Sequence, residues 1–246
     1  MKSDISSFET NRMKAILLDL DGTLLPMQQD EFTAAYFDRL SKTLAPCGYE
    51  PKRLIEGVWQ GAKTMVKNNG KQTNEQVFWK EFAGLFGDKV YSDIDKFNEF
   101  YETDFDKLKN HCGYNEQANQ TIQTLKEKGF VLVLATNPVF PMTAQKKRML
   151  WAGINPDDFA LITSYENSHS CKPNPQYYKE IAEKIGVKPG DCLMVGNDTT
   201  EDAAAMLTGA DFFLLTDCLM NQERKDISKY SRGSFTQLFN YIENQK

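Results

Sequence analysis

Ala15-Ile16-Leu17-Leu18-Asp19-Leu20-Asp21-Gly22-Thr23 is a short aliphatic run that stops abruptly in two carboxylates separated by a single leucine. Four apolar residues without alternation are the pattern of a strand covered on both faces, as in a parallel sheet. In open α/β sheets ligands bind beyond the carboxyl ends of the strands, so Asp19 and Asp21 stand where chemistry is usually done. Two acids this close repel each other unless a cation or a shared proton intervenes. A hard divalent ion with oxygen ligands, magnesium above all, resolves that conflict. The competing reading is that Asp21-Gly22 only turns the chain after a strand. Which reading holds depends on what the rest of the chain places beside these acids.

Similar apolar runs recur at Phe130 to Ala135, Phe159 to Ile162, Cys192 to Val195 and Phe212 to Leu215. Helical patterns lie between them. Asn115 to Lys128 carries Ala118, Ile122 and Leu125 on one face and stops at Gly129. Pro141 to Ala152, Gln176 to Ile185 and Thr199 to Leu207 end at or near Gly153, Gly186 and Gly209, the usual helix stop signal. Strands alternating with helices predict an α/β fold with a doubly wound, Rossmann-like parallel sheet.

Residues 28–112 break the rhythm. They hold no convincing strand but several amphipathic helical patterns: Phe32, Tyr36, Leu40 and Leu44 share one face, and Leu54, Val58, Ala62 and Met65 another. Thr73-Asn74-Glu75-Gln76 has the form of a capping box before Val77-Phe78-Trp79. The expected organisation is a catalytic core of residues 1–27 and 113–246 interrupted by a helical cap at 28–112. Hinges are expected near Leu24 to Met27 and Cys112 to Asn115. Trp59 and Trp79 read as cap core rather than as a substrate platform. Gly57 and Gly61 read as points of close helix approach.

Three more strand ends carry polar residues. Leu132-Val133-Leu134-Ala135 is followed by Thr136-Asn137, whose hydroxyl and neighbouring backbone N–H groups can hold phosphoryl oxygens or merely cap a helix. Lys172-Pro173 precedes a helix, and the lysine is a compact cation able to offset phosphate charge, or else an exposed loop lysine. Gly196-Asn197-Asp198-Thr199-Thr200-Glu201-Asp202 follows the run Cys192 to Val195, and its acids can complete a metal site, complement a helix dipole, or do both.

The ordered set D-x-D-G-T, Thr136, Lys172-Pro173 and the glycine-acid motif at Gly196–Asp202, spanning about Lys14 to Phe213, resembles the haloacid dehalogenase superfamily, and the helical insert resembles that family's C1-type cap. The resemblance implies a phosphatase for a small-molecule phosphomonoester, with Asp19 as nucleophile and Asp21 as general acid and base. It implies that Thr136, Lys172 and the backbone amides around Asp21 and Asn137 hold the phosphoryl group. It also implies a Mg2+ ion held by Asp19, the Asp21 carbonyl and a residue of the fourth motif. Many family members have aspartate where this chain has Asn197, so Asp198 is expected to ligate instead, because a carboxylate offsets the metal charge better than an amide. Asn197 remains the alternative ligand, and Asp202 is expected to orient ligands from behind. Asp21 disfavours dehalogenase chemistry. A phosphomutase, a phosphonate hydrolase using Lys63 or Lys67, and a non-catalytic binding protein stay open.

Composition narrows the setting. The 246 residues suit a core plus one insertion, and 41% hydrophobic with 26% charged residues is ordinary for a globular chain. A net charge of -5 with no Lys/Arg block argues against a nucleic-acid partner. Five cysteines without a C-x-x-C pair argue against a disulfide framework or zinc knuckle. Met1 to Met13 is polar without the apolar centre of a signal peptide, and no run approaches the ~20 residues of a membrane span. A cytoplasmic protein is expected. Two histidines, His111 and His169, lie beside no convincing nucleophile, which leaves a Ser-His-Asp or Cys-His hydrolase without support.

Overall fold

The computed structural model describes residues 13–244. Most of the N-terminal segment read above as lacking a signal peptide lies outside these residues. Strands β1 (Ala15–Leu18), β2 (Val131–Leu134), β3 (Leu161–Ile162), β4 (Cys192–Gly196), β5 (Asp211–Leu215) and β6 (Ser231–Gly233) form one sheet in the order β3-β2-β1-β4-β5-β6. Every neighbouring pair is parallel. The chain leaves β1 toward β2 and β3, then returns to the other side of β1 with β4. The reversal opens a crevice at the carboxyl ends of β1 and β4.

Alternate residues of each strand enter different cores, which is why the runs look uniformly apolar in sequence. Ile16, Leu18, Leu132, Leu134, Leu193 and Val195 point into the core shared with α5 (Glu116–Glu127), α6 (Met142–Trp151) and α8 (Phe235–Glu243). Ala15, Leu17, Val133, Ala135 and Met194 point into the opposite core, with α7 (Pro175–Lys184). Asn115 caps α5 by accepting from the Gln117 N–H, and Asn174 caps α7 by accepting from Gln176 N–H, with Pro175 at the first helical position.

Between β1 and α5 lie only helices: α1 (Gln29–Leu44), a 3-10 turn (Ala45–Cys47), α2 (Pro51–Val66), α3 (Asn74–Phe86), α4 (Lys89–Glu102) and a 3-10 stretch, Asp104–His111. The expected capping box at Thr73 and Gln76 is formed. The neck is narrow: Met27 bridges Cys112 antiparallel, and Gly113 N–H donates to the Pro26 carbonyl at 2.7 Å. A second tether is the start of α3. There Asn74, fully buried, donates to the Pro138 and Ser170 carbonyls at 3.2 and 3.3 Å, and its backbone N–H donates to Ser168 at 2.8 Å.

Two expectations differ from the structure, and two elements are new. The strand expected from Phe159 shortens to Leu161–Ile162, because a 3-10 turn at Pro156–Asp158 runs up to Phe159. The helix expected over Thr199 to Leu207 is instead a turn followed by a 3-10 segment, Asp202–Thr208. Asp198 accepts from the Thr200 and Glu201 N–H groups, and Asp202 turns back to accept from the Asp198 N–H at 2.9 Å, so side-chain bonds displace the helical ladder. Strand β6 and helix α8 were not anticipated. Ser231-Arg232-Gly233 is an edge strand with no apolar signature.

Helices α2 and α3 approach where Gly57 and Gly61 face Phe82, Phe86 and Phe78, as the sequence suggested. A Cβ on Gly61 would stand 2.5 Å from the Phe78 ring. Gly61→Val is therefore expected to destabilise the chain by about 1–3 kcal/mol through overpacking, read as a lower urea midpoint at unchanged m-value.

Candidate active site

Asp19 leaves β1 directly into the crevice. Its two oxygens are held separately: Oδ1 accepts from Lys172 Nζ at 2.7 Å, and Oδ2 accepts from the Thr23 hydroxyl at 3.1 Å. Gly22 makes the turn between them at φ +79°, and a Cβ there would meet the Asn197 amide at 2.3 Å. Only glycine suits this point on both counts.

Lys172 is 1% exposed and reaches across the carboxyl end of the sheet to Asp202 Oδ1, at 2.5 Å, as well as to Asp19. Burial by itself would lower its pKa, but the two carboxylates overcome burial and hold it well above the ordinary lysine value. Lys172 is thus a fixed cation. Burial raises the Asp202 carboxyl, and Lys172 pulls it back. Gly196 allows Asp202 this position, since a Cβ on it would lie 2.1 Å from Asp202 Oδ2.

Asp21 turns the other way. Its Oδ2 accepts from Arg148 Nη1 at 2.5 Å, while its buried Oδ1 has no hydrogen-bond partner. Burial raises the Asp21 pKa, and Arg148 lowers it in part. Arg148 is wholly buried on α6, stacks on the Phe140 ring at 4.5 Å and also donates to Gln145. Sequence reasoning missed it. The available signal was an arginine at a core position, spaced four and three residues from buried Ala144 and Trp151.

Asn197 is 2% exposed, and its amide oxygen accepts from the Thr23 hydroxyl at 3.2 Å, which joins it to Asp19. Its amide nitrogen donates to the Cys218 carbonyl at 2.6 Å. Asp198 spends one oxygen on the Thr200 and Glu201 N–H groups. Thr136 is buried at the end of β2, and its carbonyl accepts from Thr163 and Tyr177 hydroxyls, both at 2.8 Å. Asn137 donates to both oxygens of Glu201 at 3.2 Å, while its own Oδ1 is buried without a partner. Glu201, one of the acids of the fourth motif, is pushed up to about 7 by burial, with Lys172 opposing.

All the anticipated residues except Lys172 line one cavity of about 570 Å³. Lys172 lies behind it. Helices α1 and α2 close the far side with Gln29, Trp59, Ala62 and Val66. Trp79 is core as expected, but Trp59 is 48% exposed and faces the cavity. Neither Lys63 nor Lys67 lines it. Asp19, Asp21, Asp198, Glu201, Asp202 and Glu223 give the cavity six carboxyl groups, against the neighbouring Lys172, Arg148 and Lys225, the last paired to Glu223 at 3.1 Å.

Such an oxygen-rich, acidic site suits a hard divalent cation, and the unpartnered Asp21 and Asn137 oxygens have capacity to spare. Among the described residues no three Asp, Glu, His or Cys side chains converge on one point. An ion here would need backbone carbonyl, amide or water oxygens as well.

Residues 13–208 match the family described as haloacid dehalogenase-like hydrolase. The chain is 25% identical over 207 residues to phosphoglycolate phosphatase of Nitrosospira multiformis, covering 82% of each protein. It is 25% identical over 187 residues to Pyrophosphatase PpaX of Halalkalibacterium halodurans, covering 76% of each. The fold superposes on the HAD-hydrolase YfnB from Bacillus subtilis with a TM-score of 0.54, at 19% identity, over 94% of this chain and 99% of that one. That structure is bound to magnesium and reveals interdomain movement. Among the described residues, no helix is long and apolar enough to cross a membrane.

Removing Arg148 would leave the Asp21 carboxyl and the Gln145 amide oxygen without their shared donor. Arg148→Met is expected to cost on the order of 3 kcal/mol in chemical denaturation, the usual penalty for breaking a buried pair from one side. Adding Asp21→Asn should return part of that loss, and a double-mutant cycle reads the coupling directly.

Proposed function

This chain belongs to the haloacid dehalogenase-like hydrolases, and on that premise we propose that it is a magnesium-dependent phosphatase acting through a phosphoaspartate on Asp19. The observation that carries the proposal is the Asp19 carboxylate, held by Lys172 and Thr23 at the end of the central strand and facing the cavity beside Asp21. The names of its relatives, phosphoglycolate phosphatase and pyrophosphatase, support phosphoryl transfer as the reaction class.

Asp19 attacks the phosphorus of a bound phosphomonoester, forming a P–O bond to its carboxylate as the bond to the leaving oxygen breaks. Asp21 gives its proton to that leaving oxygen. Burial, which raises its pKa, favours the protonated form this step needs. Asp21, now a carboxylate, takes a proton from water as the water attacks the phosphoaspartate. Inorganic phosphate leaves, Asp19 is restored as a carboxylate and Asp21 as an acid. Lys172, Thr136 and the backbone N–H groups around Asp21 and Asn137 hold the phosphoryl oxygens. Arg148 fixes the direction of the Asp21 carboxyl.

Magnesium would be held by Asp19, the Asp21 carbonyl and the fourth strand end, where it supplies the charge that lets a phosphate dianion approach so many carboxylates. For the last ligand the geometry favours Asn197 over the Asp198 expected from sequence. The Asn197 oxygen is one hydroxyl away from Asp19, and Asp198 has an oxygen engaged in its own turn. Asp202 orients Lys172. The absence of Lys63 and Lys67 from the cavity lining weighs against a phosphonate hydrolase that forms a Schiff base.

Residues 28–112 form the cap in this reading, rocking about the neck at Pro26–Met27 and Cys112–Gly113 and about the Asn74 contacts. Interdomain distances in solution are expected to differ with and without a phosphate analogue, and more so in Asn74→Ala. Identical distances in both would count against a moving cap.

Phosphate release from a panel of phosphomonoesters should require magnesium and stop with EDTA. Asp19→Asn should lower it by on the order of 10⁴-fold or more, since only positioning and binding remain. No release from the native protein would point to a mutase or a binding role. Asn197→Asp should lower the magnesium concentration for half-maximal activity, and Asn197→Ala should raise it more than Asp198→Ala does. The reverse order would restore Asp198 as the ligand.

A further inference from the structure

The leaving group has to lie against the insert, and there the cavity changes character. On that side it is walled by Gln29, Trp59, Ala62, Val66, Val139 and Phe140. Five of these, all but Val66, also line a second cavity of about 160 Å³ that runs into the interior of the helical insert. The two spaces share a wall.

The inner cavity is lined almost entirely by rings and aliphatic groups, among them Phe32, Tyr36, Phe78, Trp79, Phe97 and Tyr101. Its few polar side chains are neutral, such as Gln29 and the Tyr36 and Tyr101 phenols, whose hydroxyls pair at 2.8 Å. Among the described residues lining either cavity there is no lysine, arginine or histidine. The outer cavity has a surplus of carboxylates.

Two arguments follow. A second anionic group on the substrate, a carboxylate or another phosphate, would meet Glu201 and Glu223, while the nearby cations are already engaged, Lys225 with Glu223 and Thr200 and Arg148 with Asp21. A neutral ring, by contrast, has a place of its own size, since an apolar cavity of about 150 Å³ accepts benzene.

We propose that the phosphoester's leaving group is uncharged and carries a ring-sized apolar body that seats among the aromatic side chains of the insert. The inference rests on the phosphatase reading and sets its substrate class apart from that named for the relatives at 25% identity. Trp59, Phe140, Ala62 and Gln29 line both cavities and form the boundary that the ring would cross, with Gln29 its polar member.

The test is phosphate release by the full chain with magnesium from acetyl phosphate, phosphoglycolate and 2-phenylethyl phosphate. The kcat/KM for the phenylethyl ester is expected to exceed that for phosphoglycolate by about tenfold or more, the discrimination hydrophobic pockets usually reach. Ala62→Leu should cut the ratio of phenylethyl to acetyl phosphate turnover by about the same factor. Gln29→Arg, at an exposed position that tolerates change, should shift preference toward phosphoglycolate. Phosphoglycolate equal to or better than the phenylethyl ester in the native chain would overturn the proposal, as would ratios unmoved by both variants. Acetyl phosphate reports on the hydrolase reading by itself. If no ester at all is turned over, that reading has failed. Saturable calorimetric binding of 2-phenylethanol, lost in Ala62→Leu, would then still support the aromatic site, and no binding would overturn it.

Discussion

Lys172, buried between Asp19 and Asp202, is the interaction on which the rest of this site depends. A lysine ammonium removed from water loses several kcal/mol of hydration, and only close partners of opposite charge recover it. Those partners come from the ends of β1 and the β4 turn, while Lys172 precedes α7, so the ion network stitches three separate segments together. Gly196 exists to let Asp202 in, and the unexpected 3-10 segment follows from the same inward turn of Asp202. The parallel sheet, with β1 and β4 adjacent at its reversal, is what brings these segments within reach.

Charge also explains why a second pair is needed. Asp21 lies two residues from Asp19, too close for both to be carboxylates beside Glu201 and Asp202 without compensation. Lys172 serves Asp19 and Asp202, so Asp21 has Arg148 from the opposite core. The two ion pairs pull the neighbouring acids in different directions, one toward each face of the sheet. One carboxylate is left matched to a cation that is always charged. The other is buried enough for its pKa to rise, which suits an acid that must gain and lose a proton.

How much of this was legible in the chain follows from the range of each interaction. Ala15–Leu18, Val131–Leu134 and Cys192–Gly196 announced themselves because both faces of each strand are buried. Ser231–Gly233 did not, since an edge strand with exposed side chains carries no apolar run. The Thr73–Gln76 cap was readable because its bonds are local. Arg148 was not, because its partner is 127 residues away and only the fold joins them. Asn197 and Asp198 are the intermediate case. Residue type alone favours the carboxylate as a metal ligand, but Asp198 is drawn into capping its own turn, and Asn197 is left linked to Asp19 through Thr23.

The same distinction divides the molecule's two halves. Residues that would handle phosphate are fixed by ion pairs and by glycines with no room for a side chain, so almost any change there disturbs the whole network. The insert meets the cavity with Trp59, Ala62 and Val66 on one face of α2, where Trp59 and Val66 are exposed and Ala62 is half-buried. Helix α2 is held by packing of Gly57 and Gly61 against α3, a constraint that leaves its cavity-facing side free to vary. Size and polarity at Ala62 can therefore alter what sits beyond the phosphate without moving Asp19 or Lys172. In the proposed reading, reaction type is set where charges are buried and pinned, whereas leaving-group choice is set on a helix held by packing on its other side.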